Sequence, residues 1–315
     1  MSAPTIALGI PARNAVAHLP RLLESVRTQT VPFDEVLLYD DASTDGTGDI
    51  ARAFGARIVR TDVNTGPSLG KNQLAQLTSA DWVHFHDADE ALQPEFVARA
   101  RTAISDAVDV VLFDTEDRDD VTGRQLGQSR WGDVALRDDA VRYCIEHTVT
   151  NCGVYRRSAF LRAGGFDTDE ATKYNEDQAM HLRLALAGLR FSAAGYVGVI
   201  VYRRTGSMSS GHPIECARAQ LEVLVRAADA TGRKYAGEIG RRLWRLAGVL
   251  GGYQDWPSVR RSVNLAERLG YTQPASEHAA VRLMARFSPY GAVRLREAFI
   301  RAVKPELRRG MPSVR

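Results

Sequence analysis

Short apolar runs and longer stretches with apolar residues at helical spacing alternate along the first part of the chain. Thr5–Ile10 is a nearly continuous apolar run. It is followed over Val16–Gln29 by Leu19, Leu22, Leu23 and Val26, which fall on one side of a helix. The pair then recurs. Strand patterns lie at Glu35–Tyr39, Arg57–Arg60, Trp82–His86 and Asp109–Phe113, with helical patterns over Asp45–Phe54, Leu69–Thr78 and Glu95–Ala107. Such a rhythm with short connections predicts an α/β protein built on a doubly wound, mostly parallel sheet. Ligands of these sheets bind beyond the carboxyl ends of the strands.

After Phe113 the pattern loosens. Glu116–Asp139 is polar and acidic with Gly123, Gly127 and Gly132, and reads as a variable loop region lining one side of a site. Asn151–Arg156 predicts a strand, and Ser158–Ala163 a short helix closed by Gly164-Gly165. Asn175–Ala187 predicts a helix with Asn175 as N-cap, and Arg190–Tyr202 is β-rich. From Ile214 onward helical patterns dominate, broken at Gly232, Pro257, Pro274 and Pro289.

Charge divides the chain at about the same point. The net charge of +3 combines 22 Lys+Arg against 29 Asp+Glu in residues 1–205 with 19 against 9 in residues 206–315. The expected organisation is a catalytic domain over 1–210 and a basic helical region over 211–315. No apolar run approaches ~20 residues, which excludes a membrane-spanning helix. The N-terminal residues lack a secretory pattern. Cys144, Cys152 and Cys216 are scattered, which suits free thiols in a reducing cytosol and argues against zinc. A cytoplasmic location follows as the expectation. The arginine-rich tail leaves two readings: helices packed with solvated basic faces, or peripheral contact with anionic lipid at the inner face of a membrane. It also leaves self-association open. Nucleic acid is not expected, because no basic groove interleaved with aromatics is visible.

Chemistry is concentrated where strand patterns end. Val83-His84-Phe85-His86-Asp87-Ala88-Asp89 closes an apolar run with two carboxylates, and strand alternation points Asp87 and Asp89 to one side. Two oxygen ligands at a strand mouth suit a hard divalent cation, Mg²⁺ or Mn²⁺, that takes its other ligands from water and substrate phosphates. By the same alternation His86 faces away and reads as packing. Asp40-Asp41 closes another strand. Gly66-Pro67-Ser68-Leu69-Gly70-Lys71-Asn72 is one residue short of a phosphate-binding P-loop and lacks its Ser/Thr.

These motifs in this order resemble family 2 glycosyltransferases, which have the GT-A fold. Ile10-Pro11-Ala12-Arg13-Asn14 is close to the family's Ile-Pro-x-Tyr-Asn, and Tyr39-Asp40-Asp41-Ala42-Ser43-Thr44-Asp45-Gly46-Thr47 to its Val-Asp-Asp-Gly-Ser-Thr-Asp-Gly-Thr. Gly70-Lys71-Asn72, Asp87-Ala88-Asp89, Gly164-Gly165-Phe166-Asp167 and Asn175-Glu176-Asp177 match further family segments. The resemblance covers roughly residues 4–210 and divides that domain into a nucleotide-sugar half, about 1–114, and an acceptor half, about 115–210.

It implies transfer of a sugar from a nucleoside-diphosphate sugar, most simply a UDP-sugar, with inversion. The acceptor hydroxyl belongs to a glycan, a lipid-linked or a small-molecule acceptor. Asp41 then contacts the base, with Pro11 and Arg13 framing the nucleotide and Lys71 near the base or diphosphate. Asp89 holds Mn²⁺ or Mg²⁺, while Asp87 contacts the ribose or a metal-bound water. Asp177 is the general base, and Glu176 beside it supports the helix start or orients the acceptor. The family's histidine before the late Ser-x-Ser is missing, so His212 from a shifted position completes the metal site, or Arg203 or Arg204 meets the phosphates instead. Two rivals are a non-catalytic sugar- or nucleotide-binding protein on the same fold and a sugar-phosphate nucleotidyltransferase. The second would need a glycine-rich N-terminal segment that Gly9-Ile10-Pro11-Ala12-Arg13 does not supply.

Overall fold

The first strand, β1 (Ile6–Ala12), is buried along its whole length, as an apolar run between two helical layers must be. In the computed structural model, which describes residues 3–204, 208–272 and 279–308, the chain forms two compact units. Thr205, Gly206 and Ser207 of the late motif, together with His278 and Arg309, lie outside the described residues. The first unit comprises Met1–Cys144, Thr148–Thr168 and Glu176–Ser207, and the second Ile145–His147, Asp169–Asn175 and Met208–Arg315.

From β1 the chain continues through α1 (Leu19–Arg27), β2 (Glu35–Asp41), α2 (Thr47–Phe54), β3 (Arg57–Thr61), α3 (Pro67–Leu77) and β4 (Trp82–Phe85). Then come β5 (Ala91–Leu92), α4 (Phe96–Ala103), β6 (Val110–Asp119), β7 (Gln125–Ser129), α5 (Asp133–Asp138) and α6 (Ala140–Glu146). β8 (Gly153–Arg156), α7 (Arg157–Arg162), α8 (Glu176–Leu186) and β9 (Phe191–Arg203) follow. Among the described residues the strands make one nine-stranded sheet in the order β3-β2-β1-β4-β8-β6-β9-β5, with β7 on β6. β3, β2, β1 and β4 are mutually parallel, the doubly wound half that the sequence pattern predicts. β8 is inserted antiparallel between β4 and β6, and β9 runs parallel to β6. Because β8 is reversed, its first residues lie beside the carboxyl end of β4.

One expectation is corrected. Glu116–Asp139 is not a loop region: β6 runs on to Asp119, turns back as β7, and α5 follows. The polar sequence reflects strands whose side chains pair with one another, along β6 and between β6 and β9. Arg118 bridges Glu116 at 2.6 Å and Arg203 of β9 bridges Asp117 at 2.8 Å. The turn is shaped by Asp119, which accepts from the Thr122 amide and hydroxyl. Polar side chains that satisfy each other in this way carry no apolar alternation, so the period-2 signal is lost.

The ends of β1 and β2 are tied together by main-chain contacts. Asn14 donates its amide to Ser43 Oγ at 3.0 Å and accepts from the Thr44 amide at 2.8 Å. Ala15 donates to Thr47 Oγ1 at 2.8 Å. Both turns place a non-glycine residue in left-handed backbone, Asn14 at φ 48° and Ala42 at φ 56°. Asn tolerates that region, whereas an alanine Cβ crowds the following carbonyl.

The second unit is helical, with α9 (Met208–Gly211), α10 (Pro213–Thr231), α11 (Ala236–Gly252), α12 (Trp256–Arg268), α13 (Ala279–Phe287) and α14 (Pro289–Val303). Its core joins Leu221 and Leu224 of α10 to Ile239, Leu243 and Leu250 of α11 and to Val259 and Val263 of α12. Asp255 caps α12 and, almost wholly buried, bridges Arg218 of α10 at 2.7 Å. Among the described residues no helix is long and apolar enough to cross a membrane.

The strain at Ala42 is testable. Ala42→Gly should raise unfolding stability by about 0.5–1 kcal/mol, the left-handed penalty less glycine's extra entropy. Urea denaturation midpoints measure it, and an unchanged or lower midpoint would show that the turn is not strained.

Candidate active site

Four fully buried residues, Trp82, Val83, His84 and Phe85, carry β4 to its carboxyl end, and Asp87, Asp89 and Glu90 follow where the strand leaves the sheet. The histidines between them are packing groups, as alternation suggests. His84 donates from Nδ1 to the Gly153 carbonyl at 2.8 Å, and its Nε2 meets His86 Nδ1 at 3.0 Å. Burial depresses His84 to about 4, so the ring is neutral at pH 7.

Lys71 of α3 lies beneath these acids, its side chain only 1% exposed. Its ammonium stands 3.2 Å from Asp87 and 3.8 Å from Asp177, with the Phe166 ring 4.9 Å away. Burial works against the charge, but Asp87, Asp177 and Glu176 outweigh it and lift the ammonium pKa above its ordinary value. A solvated surface lysine is therefore excluded. The ionic partners of Lys71 are the carboxylates of β4 and α8.

Asp177 and Glu176 form the first turn of α8. Asp177 Oδ2 accepts the Asn151 amide at 3.0 Å, and Asn151 also donates from its side chain to the Phe85 carbonyl at 3.0 Å. The residue that leads into reversed β8 thus joins the end of β4 to the start of α8. Burial raises the Asp177 pKa and Lys71 opposes the rise. Burial and the neighbouring Asp177 push Glu176 up to about 8.

The glycine motifs complete the wall. Asn72 donates to the Phe166 carbonyl at 2.9 Å and accepts the Phe166 amide at 2.8 Å. A Cβ on Gly165, at φ 61°, would collide with Asn72 Oδ1. The position needs glycine on both counts, conformation and space.

On the other side of β1, Asp41 is 5% exposed. One carboxylate oxygen accepts the Thr65 amide and hydroxyl at 2.7 and 3.0 Å, and the other accepts the Gly66 amide at 2.9 Å. It shapes the approach to α3. Neighbouring Asp40 is buried, paired with Arg60 and accepting the Ser43 amide, which is a turn-forming role. Pro11 is buried in β1 and Arg13 exposed just after it. His212 belongs to the second unit, where its ring lies 4.9 Å from Tyr174. His181 is buried and hydrogen-bonded to the Tyr155 hydroxyl at 2.9 Å, so it is structural.

The family model described as Glycosyl transferase family 2 matches residues 8–163, the span that carries β1, the β2 end, α3 and the β4 acids. The chain belongs to glycosyltransferase family 2. Like other members it is a glycosyl-transferring enzyme. Succinoglycan biosynthesis protein ExoO of Rhizobium meliloti is 23% identical over 74% of this chain and 69% of its own length. A PGL/p-HBAD biosynthesis glycosyltransferase of Mycobacterium bovis is 30% identical over 53% of this chain, which spans 65% of that relative. Among solved structures, S. aureus TarS 1–349 in complex with UDP-GlcNAc superposes with a TM-score of 0.70 at 19% identity, over 95% of this chain and 92% of that one. The mannosyltransferase PcManGT of Pyrobaculum calidifontis, in complex with GDP-Man and Mn²⁺, gives 0.58 at 17% identity over 96% and 86%. These likenesses establish the shared GT-A fold.

Within this family 2 fold Asp87, Lys71, Glu176 and Asp177, each singled out by a sequence motif, come together, with three contributors that the motifs do not include. Glu90 directly follows the Asp-x-Asp and is half-buried. Burial and the charges of Asp87, Asp89 and Asp177 hold its pKa well above the ordinary carboxylate value. Arg21 of α1 donates to the Asp89 carbonyl at 2.8 Å and bridges Asp120 at 2.7 Å. Asn151 links the two acid-bearing elements. Only Glu90 had a signal, its adjacency. Arg204, one of two arginines suggested for the phosphates, stands 2.7 Å from Asp89, whereas Arg203 is held by Asp117.

Among the described residues no three His, Cys, Asp or Glu side chains are grouped so as to hold a metal ion by themselves. The donor set still fits a cation that draws most of its ligands from substrate and water. Burial and the charge of Asp87 raise the Asp89 pKa, so added positive charge there is favourable. Arg204 supplies some of it already.

The Glu176 shift sets a stability signature. Folded, Glu176 keeps its proton to about pH 8, whereas its ordinary pKa is 4.5. Between those values the native state binds more protons than the unfolded chain, so stability falls as pH rises. Glu176→Gln should remove that loss, and from about pH 5 to about pH 9 the parent should lose ~1–3 kcal/mol more than the variant. Urea unfolding at the two pH values measures the difference; parallel pH profiles would show Glu176 ionising normally.

Proposed function

We propose that this enzyme transfers a sugar from a nucleoside-diphosphate sugar, with UDP as the nucleotide, to an acceptor hydroxyl with inversion, and that Asp177 is the general base. The observation that carries the reading is the setting of Asp177. It is anchored by the Asn151 amide and faced by Lys71, which also faces Asp87 at the strand end. The nucleotide-sugar complexes of TarS and PcManGT, and the Mn²⁺ in the latter, support the donor class.

In the proposed reaction the acceptor oxygen forms a bond to the anomeric carbon as the bond from that carbon to the diphosphate breaks. The hydroxyl proton passes to the Asp177 carboxylate, and the electron pair of the broken bond leaves on the nucleoside diphosphate. Lys71 keeps Asp177 closer to its ionised form than burial alone would allow, which a base requires. Asp41, Pro11 and Arg13 frame the nucleotide, and Glu176, protonated at neutral pH, is suited to donate a hydrogen bond to the acceptor. Asp89 would hold Mn²⁺ or Mg²⁺, with Asp87 on the ribose or on a water of the ion, and the ion would supply charge that stabilises the leaving diphosphate. The remaining phosphate contact falls to Arg204, which stands beside Asp89. The acceptor hydroxyl belongs to a glycan, a lipid-linked or a small-molecule substrate.

Asp177→Asn keeps the shape of the side chain and removes its basicity. Turnover with a UDP-sugar should fall by about 10²- to 10⁴-fold, with donor affinity little changed. Steady-state kinetics decides it, and a rate equal to the parent's would transfer the role of base to another carboxylate.

Donor and metal binding can be read without turnover. UDP should raise thermal stability, by about 2.7 kcal/mol at ~100 times its Kd, and Mn²⁺ should enlarge the gain. Asp89→Ala should abolish the Mn²⁺ increment and leave a smaller UDP effect. Identical UDP shifts with Mn²⁺ and with EDTA would refute the metal assignment.

A further inference from the structure

Helices α13 and α14 have an apolar surface that none of the described residues of the helical unit covers. On α14, Leu295, Ala298, Phe299, Ala302 and Val303 follow the three- and four-residue spacing of one helix face. Leu295, Phe299 and Val303 are 49%, 61% and 56% exposed. The opposite face, with Val293 and Glu297, is buried in the unit, and Ala292, one turn before Leu295, is where the stripe's own face enters it. On α13 Phe287 is 85% exposed and Leu283 57%. A soluble helix with one buried face ordinarily turns polar residues outward, and α14 departs from that rule along three turns.

The charge around this surface is mostly positive, with Glu306 the one exposed acid among the described residues of α13, α14 and the turn that follows. Residues 279–308 carry seven Lys+Arg against Glu297 and Glu306. Glu297 is buried and held by Arg301 and Arg308, each at 2.9 Å, so it contributes nothing to the outer face. Arg286, Arg294 and Lys304 are exposed beside the apolar stripe. A second copy of the chain would set these like charges against each other across a two-fold contact, which disfavours self-association here. An apolar layer faced with negative charge satisfies both the stripe and its border.

We propose that α13 and α14 form an interfacial anchor that lays Phe287, Leu295, Phe299 and Val303 into the headgroup region of an anionic bilayer, with Arg286, Arg294 and Lys304 on the lipid phosphates. The anchor is independent of the donor and base assignments, so its test does not involve catalysis.

The full chain is sedimented with vesicles of phosphatidylcholine, alone or mixed with phosphatidylglycerol. Binding is expected to the mixed vesicles, with little to the neutral ones, and to weaken as salt rises from about 50 to about 500 mM, where screening shortens to a few ångströms. Phe287→Ser with Phe299→Ser should cut the partition coefficient roughly tenfold or more, because two large apolar groups no longer enter the bilayer. Both positions are exposed, so the thermal melt should hold and separate this loss from misfolding. Arg286→Gln with Lys304→Gln should lower binding and flatten its salt dependence. Equal binding to both vesicle types, or unchanged binding by the double serine variant, would overturn the proposal. So would a dimer in size-exclusion chromatography that the double serine variant dissociates, without vesicle binding by the parent.

Discussion

The arrangement of acids in the first unit depends on one buried ammonium. Lys71 faces Asp87 and Asp177 from below, and Glu176 and Glu90 lie within its field. Carboxylates gathered so closely in a low-dielectric setting repel one another and resist ionisation. The raised pKa values of Asp177, Glu176 and Glu90 record that resistance. A cation sealed away from water is costly by itself. Here each charge makes the other tolerable, and the cluster exists because both are present.

Lys71 in turn is placed by backbone contacts on either side of it. Gly70 lets α3 approach Tyr39, where a Cβ would come within 2.6 Å of the ring, and Asn72 clamps both main-chain polar groups of Phe166. Three consecutive residues of α3 therefore perform three separate tasks: close packing against β2, charge balance, and fixation of the glycine turn. A shift of α3 by a fraction of a turn would disturb all three.

Much of this was legible in the sequence because it rests on local signals. The parallel half of the sheet follows from short apolar runs alternating with helical spacing, and the acids at the β4 end from the abrupt change after Phe85. Family resemblance then joined segments far apart in the chain. Burial of Lys71 was not legible, since a lysine on a helix gives no sign of which way it points. The β6–β7 hairpin escaped because its residues are largely polar and leave no apolar alternation. Asn151 carries no motif at all; its importance arises only once β8 is reversed beside β4.

The reversal of β8 sets different length tolerances at the two ends of the β4–β8–β6 part of the sheet. In a uniformly parallel sheet, residues entering a strand lie at the rim opposite the ligands. Here the entry to β8 is at the carboxyl end of β4, and Asn151 is held there from both its amide and its side chain. An insertion or deletion close to Asn151 would move that residue off Asp177 and Phe85 together. The turn between β6 and β7 is tied only at its base, where Arg21 bridges Asp120 at 2.7 Å, and Val121 at its tip is 94% exposed. Over evolutionary time, length variation should accumulate at the hairpin tip and be purged at the approach to β8. Related enzymes can thus differ in how far the hairpin reaches while keeping the distance from Asn151 to α8 fixed.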